Sequence, residues 1–212
     1  MRHTAGITML ALLLALAACS SNTVLVSVPP RMDLQRYGTL GIVEFASNEQ
    51  GAAARATRQF QEQVQAAQPG TPFLELGDRQ TVLAAVGASE LDAATLRKIG
   101  QKYGVRAVFV GEIVYSEPRM DVKVVDITKL EGGVRAEMRG DISSRLFDTA
   151  SGASVWSSSA WARRQIGSLR VSADQGVSGG VSQANPRDEM VPALVYHLTQ
   201  DFRATTARQP AR

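Results

Sequence analysis

The sequence predicts one α/β domain in which a mixed β-sheet packs against helices. Two observations predict this class. In the first half of the chain, compact apolar runs and segments of helical spacing follow one another as strand, helix, strand, helix, strand, which is typical of an α/β layer. In the second half, two long segments alternate apolar and charged residues around a glycine-containing turn, as antiparallel strands with one buried face do.

The chain begins with a segment typical of a bacterial export signal. Arg2 and His3 precede an apolar run over residues 7–18, which is shorter than the roughly 20 residues of a membrane-spanning helix. The run ends in Leu16-Ala17-Ala18-Cys19, which resembles the bacterial lipobox at every position. Small residues fit a peptidase cleft, and a thiol can take up diacylglycerol. We therefore expect residues 1–18 to be a removable signal and Cys19 to carry a lipid anchor.

Two other readings of this segment are an ordinary secretory signal with a chance cysteine and a membrane-tethering helix. Against them, Cys19 is the only cysteine of the chain and stands where acylation requires it. The mature chain would then hold no disulfide and no cysteine-based metal site. Ser20, where an Asp favours inner-membrane retention in enteric lipoproteins, predicts an outer-membrane anchor on the periplasmic face, with the inner membrane as the alternative. Lipid would make the membrane contact.

Composition fits a folded domain without a strong charge preference. Hydrophobic residues make up 44% of the chain. Loss of residues 1–18, which contain Arg2 and no acid, lowers Lys plus Arg from 23 to 22 against 20 Asp plus Glu, a formal charge of +2. The basic residues are scattered, with Arg163-Arg164 as the only adjacent pair of arginines. Nucleic acid is therefore not an expected partner.

The first elements follow from local patterns. Residues 22–28 alternate weakly and end at Pro29-Pro30, which predicts a short strand within an acylated tether over residues 19–36. The apolar run 39–45 predicts a buried strand. Apolar residues at helical spacing predict a helix over residues 52–67. The elements expected next are a strand at 73–76, a helix capped by Asp78 through residue 86, a helix capped by Asp92 and ended by Gly104, and a strand at 107–114.

The second half predicts antiparallel strands. Residues 119–127 and 134–147 flank a glycine-containing turn, and residues 153–163 return after a turn at 148–152. In the second strand the core-facing row is expected to be Val134, Ala136, Met138, Gly140, Ile142 and Leu146. Residues 168–187 are rich in Ser, Gly, Asn and Gln, which predicts a mobile loop.

The end of the chain predicts a helix and a polar tail. Apolar residues at helical spacing place a closing helix over residues 188–202. Residues 204–212 are polar, and we expect them to be frayed. The α/β domain is therefore expected to span residues 37–203, between the acylated tether and the tail.

Three stretches resemble a known group of envelope proteins. They are Leu40-Gly-Ile-Val-Glu-Phe45, Tyr103-Gly-Val-Arg-Ala-Val-Phe-Val-Gly-Glu112 and Leu146-Phe-Asp-Thr-Ala-Ser-Gly-Ala-Ser-Val-Trp156. In this order they resemble the lipoproteins related to the curli secretion channel CsgG, whose domain is similar to the N-terminal domain of TolB. The likeness spans residues 37–202, and Arg106 departs from it, since an Asp is usual there. The resemblance implies the fold but no single function.

Enzyme signals are poor. The histidines are His3, within the signal, and His197, inside an amphipathic segment. The letters of Gly-x-Ser-x-Gly occur at Gly176-Val-Ser-Gly-Gly180, but no strand is expected before them, as a nucleophile elbow requires. No phosphate loop or Gly-x-Gly-x-x-Gly is present, so no cofactor and no metal are expected. Glu44 and Glu112 stand at strand ends, where carboxylates can act as acid and base, but structural or solvated carboxylates are the default interpretation. Asp148 is expected to close a turn.

Two tryptophans could offer an aromatic platform for sugar. Trp156 and Trp161 are five positions apart, so strand geometry puts their side chains on opposite faces. We therefore expect at least one of them in the core, and no joint platform.

Together these patterns predict a non-enzymatic, lipid-anchored periplasmic lipoprotein that acts by protein–protein contact in envelope assembly or export. One alternative is a subunit of an oligomeric outer-membrane secretion channel of the curli type, and another is an envelope hydrolase. The expected partners are the membrane, through the lipid anchor, and envelope proteins, with a homo-oligomer as a further option. No partner-contact residue is readable from the sequence; exposed sheet edges and the 168–187 segment are the surfaces we expect to make the contact.

Overall fold

The computed structural model describes residues 23–126, 131–172, 176–181 and 185–210. Residues 31–203 form one compact unit, and the chain ends form a second. In the second unit, β1 (Thr23–Val28) pairs antiparallel with β10 (Thr205–Pro210). The strand expected near residues 22–28 is therefore present. The prediction of a frayed tail is wrong for residues 205–210, which form a strand because β1 supplies their hydrogen-bonding partner.

Residues 31–203 form the mixed α/β domain that the sequence predicts. Its strands are β2 (Leu40–Val43), β3 (Ala46–Ser47), β4 (Phe73–Gly77), β5 (Ala107–Tyr115), β6 (Arg119–Asp126), β7 (Glu131–Asp148), β8 (Ser154–Ser172) and β9 (Gly176–Val181). Its helices are α1 (Ala52–Ala67), α2 (Arg79–Ala85), α3 (Ala93–Tyr103) and α4 (Pro186–Leu198). The sheet order is β4-β2-β5-β7-β8-β9, with β3 pairing β5 and β6 pairing β7. The strand–helix alternation of the first half gives parallel pairs of β2 with β4 and with β5, and the second half is antiparallel.

Helices cover both faces of the central strands. On one face, α1 and α4 enclose an aromatic core in which Phe109 lies 5.0 Å from Phe60 and 5.9 Å from Phe202, measured between ring centroids. Trp156 joins this core, 4.7 Å from Phe202, and its Nε1 donates to the carboxylate of Asp201 at 3.2 Å. On the other face, α2 and α3 pack over a smaller core that contains Val43, Leu76, Val82, Ile99, Val105, Val108 and Val110. The strands between the two cores are apolar on both sides for this reason.

The helix ends follow the predicted caps. The Asp78 carboxylate accepts from the backbone amides of Gln80 at 2.9 Å and Thr81 at 3.0 Å, and the Asp92 carboxylate accepts from the amide of Thr95 at 2.7 Å. These hydrogen bonds satisfy amides that have no partner within the helix. Gly104 ends α3 with φ of 68°, a backbone conformation that glycine adopts without strain.

The prediction of a mobile loop over residues 168–187 is wrong for most of that segment. β8 continues to Ser172, β9 occupies Gly176–Val181, and α4 begins at Pro186, capped by Asn185. β8 runs past the expected end of its strand because β7 pairs with it through Val171 and β9 pairs with it from Gly167 to Ser172. Serine and glycine are tolerated there because pairing on both sides satisfies the backbone of β8.

Candidate interaction surface

The long strands β7 and β8 carry the sheet beyond the helices. β5 pairs with β7 only from Gly140 to Asp148, and β6 takes its place from Glu131 to Glu137. The four strands β6, β7, β8 and β9 thus form an antiparallel extension, which we call the arm and define as residues 119–126, 131–137, 165–172 and 176–181.

One face of the arm is apolar because it continues the core-facing side of the sheet. The register aligns Val122, Val134, Leu169 and Gly179 across the four strands, and Met120, Ala136 and Gly167 across three of them. Directly opposite residues in antiparallel strands project to the same face. On β7 this face is continuous with Met138, Ile142 and Leu146, which are buried in the core. The predicted core-facing row is therefore correct, but its first two members, Val134 and Ala136, are only half-buried.

The apolar face of the arm is open to solvent. Met120 is 78% exposed, Val122 is 64% exposed and Leu169 is 46% exposed. The neighbouring core ends at Met138, which is 3% exposed, and at Ile166, which packs against the core from β8. A contiguous set of exposed apolar side chains on a regular strand surface is a common feature of contact sites.

A β-bulge keeps Leu169 on the apolar face. The register between β7 and β8 shifts between Ala136 and Glu137, so that Ile166 is an extra residue on β8. Before the bulge the even-numbered residues of β8 oppose the core-facing row of β7, and after it the odd-numbered residues do. A bulge has this effect on side-chain direction because side chains alternate along a strand.

The opposite face of the arm is charged and polar. It carries Arg119 and Asp121 on β6, Arg135 and Glu137 on β7, and Ser168 and Arg170 on β8. The arm is therefore amphipathic. At its edge, β9 has the sequence Gly-Val-Ser-Gly-Gly-Val, with no charge, proline or bulge of the kind that discourages strand addition. Within the described residues β9 pairs only with β8, so its outer backbone groups are available to another strand.

A polar cluster fixes α4 at the base of the arm. Tyr115, at the end of β5, donates its hydroxyl to the carbonyl of Arg187 at 3.1 Å. Ion pairs join Arg187 to Glu49 at 3.0 Å, Arg55 to Asp188, and Arg164 to Glu189. Burial raises the pKa of Tyr115 to about 12, so the phenol stays protonated and remains a donor even in mildly alkaline solution. The base of the arm is thus held by groups from α1, β5, β8 and α4.

Trp161 lies on the sheet face opposite the aromatic core, and it is 57% exposed. Trp156 is 9% exposed, so the two tryptophans occupy opposite faces and one is in the core, as predicted. The guanidinium carbons of Arg139 and Arg163 lie 5.2 Å and 5.4 Å from the centroid of the Trp161 ring. The hydrogen bond to Asp141 raises the pKa of Arg139, as expected for a paired guanidinium.

The other residues considered from the sequence occupy ordinary positions. His197 is exposed on α4, Glu44 is half-buried and Glu112 is exposed, and no hydrogen bond joins the two carboxylates in the described structure. Asp148 closes its turn, as expected, by accepting from the amide of Ser151 at 2.8 Å, and this hydrogen bond lowers its pKa. Cys19 and the other lipobox residues, Leu16, Ala17 and Ala18, lie outside the described residues.

The described residues provide neither a metal-binding cluster nor a membrane-spanning helix. No set of three or more His, Cys, Asp or Glu side chains is placed to hold a metal ion in the part of the chain that the structure describes. Among the helices of that part, none is long and apolar enough to cross a membrane.

Comparison with known proteins shows only distant likenesses in structure. No family model matches the sequence, and no curated protein matches it. The PelC dodecamer from Paraburkholderia phytofirmans is 14% identical with a TM-score of 0.42, over 86% of this chain and 99% of that chain. The LpoB C-terminal domain from Salmonella enterica is 13% identical with a TM-score of 0.36, over 64% and 84%. Lipoprotein GNA1162 from Neisseria meningitidis is 16% identical with a TM-score of 0.32, over 60% and 83%. Because these TM-scores are below 0.5, none of these likenesses assigns a function to this chain, and membership of the CsgG and TolB-like group stays a prediction.

Proposed function

We propose that this protein is a non-enzymatic lipoprotein of the bacterial envelope, anchored through Cys19, which binds another envelope protein through the arm. The observation that supports this function is the exposed apolar row of the arm, with Met120, Val122 and Leu169 on one face. A surface of this kind is costly to leave in water, and contact with a partner removes it from water. The lipobox at residues 16–19 supports the anchor.

The partner that fits this surface presents an extended strand with apolar residues on one side. β9 offers an unprotected edge, and main-chain hydrogen bonds along that edge give affinity in strand addition. The apolar side of the added strand would continue the row that contains Leu169 and Gly179. Specificity then comes from alternate side chains, which meet the apolar face of the arm.

A photo-crosslinking residue placed in full-length protein in cells tests this function. We place it at Val122, and in a matched control at Leu74, which is 38% exposed on β4 at the far edge of the sheet. The expected result is one envelope protein captured from position 122 and not from position 74, with the cross-linked peptide in an extended apolar segment. Leu169→Asp should abolish this capture and Leu74→Asp should preserve it, because Leu169 lies on the apolar face of the arm and Leu74 does not.

The lipid anchor is tested in the same cells with Cys19→Ala. The variant should lose membrane fractionation and capture of the partner, since both depend on the anchored position. Capture at position 122 of this chain alone, as a ladder of defined size, would favour the secretion-channel alternative instead. Equal capture from positions 122 and 74 would contradict a role for the arm.

A further inference from the structure

A second surface of the domain has a chemistry that the arm does not explain. It lies on the outer sheet face, beyond the part that α2 and α3 cover, and consists of Val114 on β5, Arg139 and Asp141 on β7, and Trp161 and Arg163 on β8. We call these five residues the Trp161 patch. The register places Val114, Asp141 and Trp161 in one row across three strands, and Arg139 opposite Arg163 in the next row.

The two arginines form an unfavourable arrangement in the unliganded protein. Like charges directly opposite each other on adjacent strands destabilise the pair. Asp141 neutralises Arg139: its carboxylate accepts from the Arg139 Nε at 2.8 Å and 3.0 Å and from Nη2 at 2.5 Å. Arg163 has no ion pair within the described residues. The patch therefore carries one uncompensated positive charge beside an exposed indole.

The patch combines the exposed indole of Trp161 with arginine guanidinium groups, and these side chains project from paired strands of the sheet. Trp161 is 57% exposed and Val114 is 41% exposed, so both offer apolar area to a ligand. Guanidinium groups bind carboxylates through paired hydrogen bonds. An indole offers a large apolar face against which the C–H groups of a sugar ring can pack. The neighbouring outer-face rows pair Ser143 with Ser159 and Arg145 with Ser157, which extends a polar surface along the strands.

We infer that the Trp161 patch binds an acidic glycan, with a pyranose ring stacked on Trp161 and its carboxylate held between Arg163 and Arg139. The charge pattern favours this ligand over a neutral glycan, because a carboxylate would pair with Arg163, which has no ion pair within the described residues. The open strand surface suits an extended polymer, since the serine rows continue past the patch. This surface is separate from the arm face, which projects from the opposite side of the sheet.

The test measures binding of oligogalacturonate, which has a carboxylate on each pyranose ring, to the full chain in detergent by titration calorimetry. Maltohexaose is the neutral comparison, and vesicles of anionic phospholipid are the comparison for a lipid surface. The expected result is binding of oligogalacturonate alone, weakened by added salt. Arg163→Gln should weaken it about tenfold, as loss of a charged hydrogen bond does.

Further variants distinguish specific binding at the Trp161 patch from a general effect of the protein's positive charge. Trp161→Ala should reduce oligogalacturonate affinity at least as much as Arg163→Gln. Arg58→Gln, which removes an equal charge from an exposed position on α1, should leave the affinity unchanged. Equal binding of maltohexaose, or an equal loss in Arg58→Gln, would overturn the inference. So would vesicle binding that depends on Trp161 and Arg163 when no oligosaccharide binds, since that result assigns the patch to a membrane surface.

Discussion

At the scale of single residues, Gly111 on β5 shows how closely the core packs against the sheet. A Cβ atom there would lie 2.6 Å from the ring of Phe45 and 2.8 Å from the carbonyl oxygen of Ser143. Phe45 itself is 1% exposed and packs against Phe60, so it has little room to move. The glycine is therefore needed for close approach of the core to the sheet.

We expect Gly111→Ala to lower the free energy of unfolding by about 1–3 kcal/mol, because the added methyl group overpacks a filled site. Urea unfolding followed by circular dichroism measures this. Gly180→Ala is the matched control, because a Cβ at Gly180 meets no atom within 4 Å, and its unfolding midpoint should match that of the wild type. An unchanged midpoint in Gly111→Ala would show that Phe45 can shift without cost.

At the scale of elements, the sequence predicts those whose signals are local. α1 spans the expected residues 52–67, and α2 and α3 begin after the expected caps, because cap chemistry and helical spacing are encoded within a few residues. The extension of β8 and the strand β9 were not predictable in this way. The bulge at Ile166 reverses the alternation of β8, so no single period-two pattern runs through residues 154–172.

The candidate sites were less accessible to sequence reasoning than the elements. The pairing of Arg139 with Arg163 and the row formed by Val122, Val134 and Leu169 depend on register between strands far apart in sequence. Opposite faces for Trp156 and Trp161 were predictable because both lie on one strand before the bulge. The apolar residues Leu169 and Val171 were the available signal for a strand in the segment expected to be a loop.

Two methionines on the apolar side of the sheet show where the core ends. Met138 on β7 is 3% exposed, whereas Met120 on β6, in the arm, is 78% exposed. We expect Met138→Ala to cost about 2–5 kcal/mol of unfolding free energy, since it leaves a cavity in the core. Met120→Ala should change it by less than about 0.5 kcal/mol, as surface substitutions do.

Urea unfolding of both methionine variants measures the difference. A large loss of stability in Met120→Ala would mean that the arm face is covered in the free protein. That result would contradict its assignment as an open contact surface, and so would bear on the proposed function as well as on the fold.

At the scale of the whole molecule, one sheet provides two surfaces of different chemistry. The apolar row of the arm and the Trp161 patch project to opposite sides of the sheet, because alternate residues of β7 supply them and the bulge at Ile166 reverses the alternation along β8. Raising the salt concentration should therefore distinguish ligand binding at the Trp161 patch from partner binding at the arm. Charge-based binding at the patch weakens with ionic strength, whereas apolar contact at the arm does not depend on charge.

The two ends of the described chain form a unit of their own, and its stability depends on both. β1 and β10 are paired from Thr23 opposite Pro210 to Val28 opposite Thr205. Val24 and Leu25 are 48% and 70% exposed, so the ribbon has little apolar burial of its own. A two-stranded ribbon is marginally stable in water, and we expect β1 to lose its ordered backbone when β10 is removed.

A chain that ends at Arg203 should therefore be cut by thermolysin before Val24, Leu25 or Val26 several times faster than the full chain, as measured by mass spectrometry of timed digests. A chain that ends at Pro210 keeps the pairing and is the control. Equal cleavage of the two truncated chains would show that β10 does not protect the segment that follows Cys19.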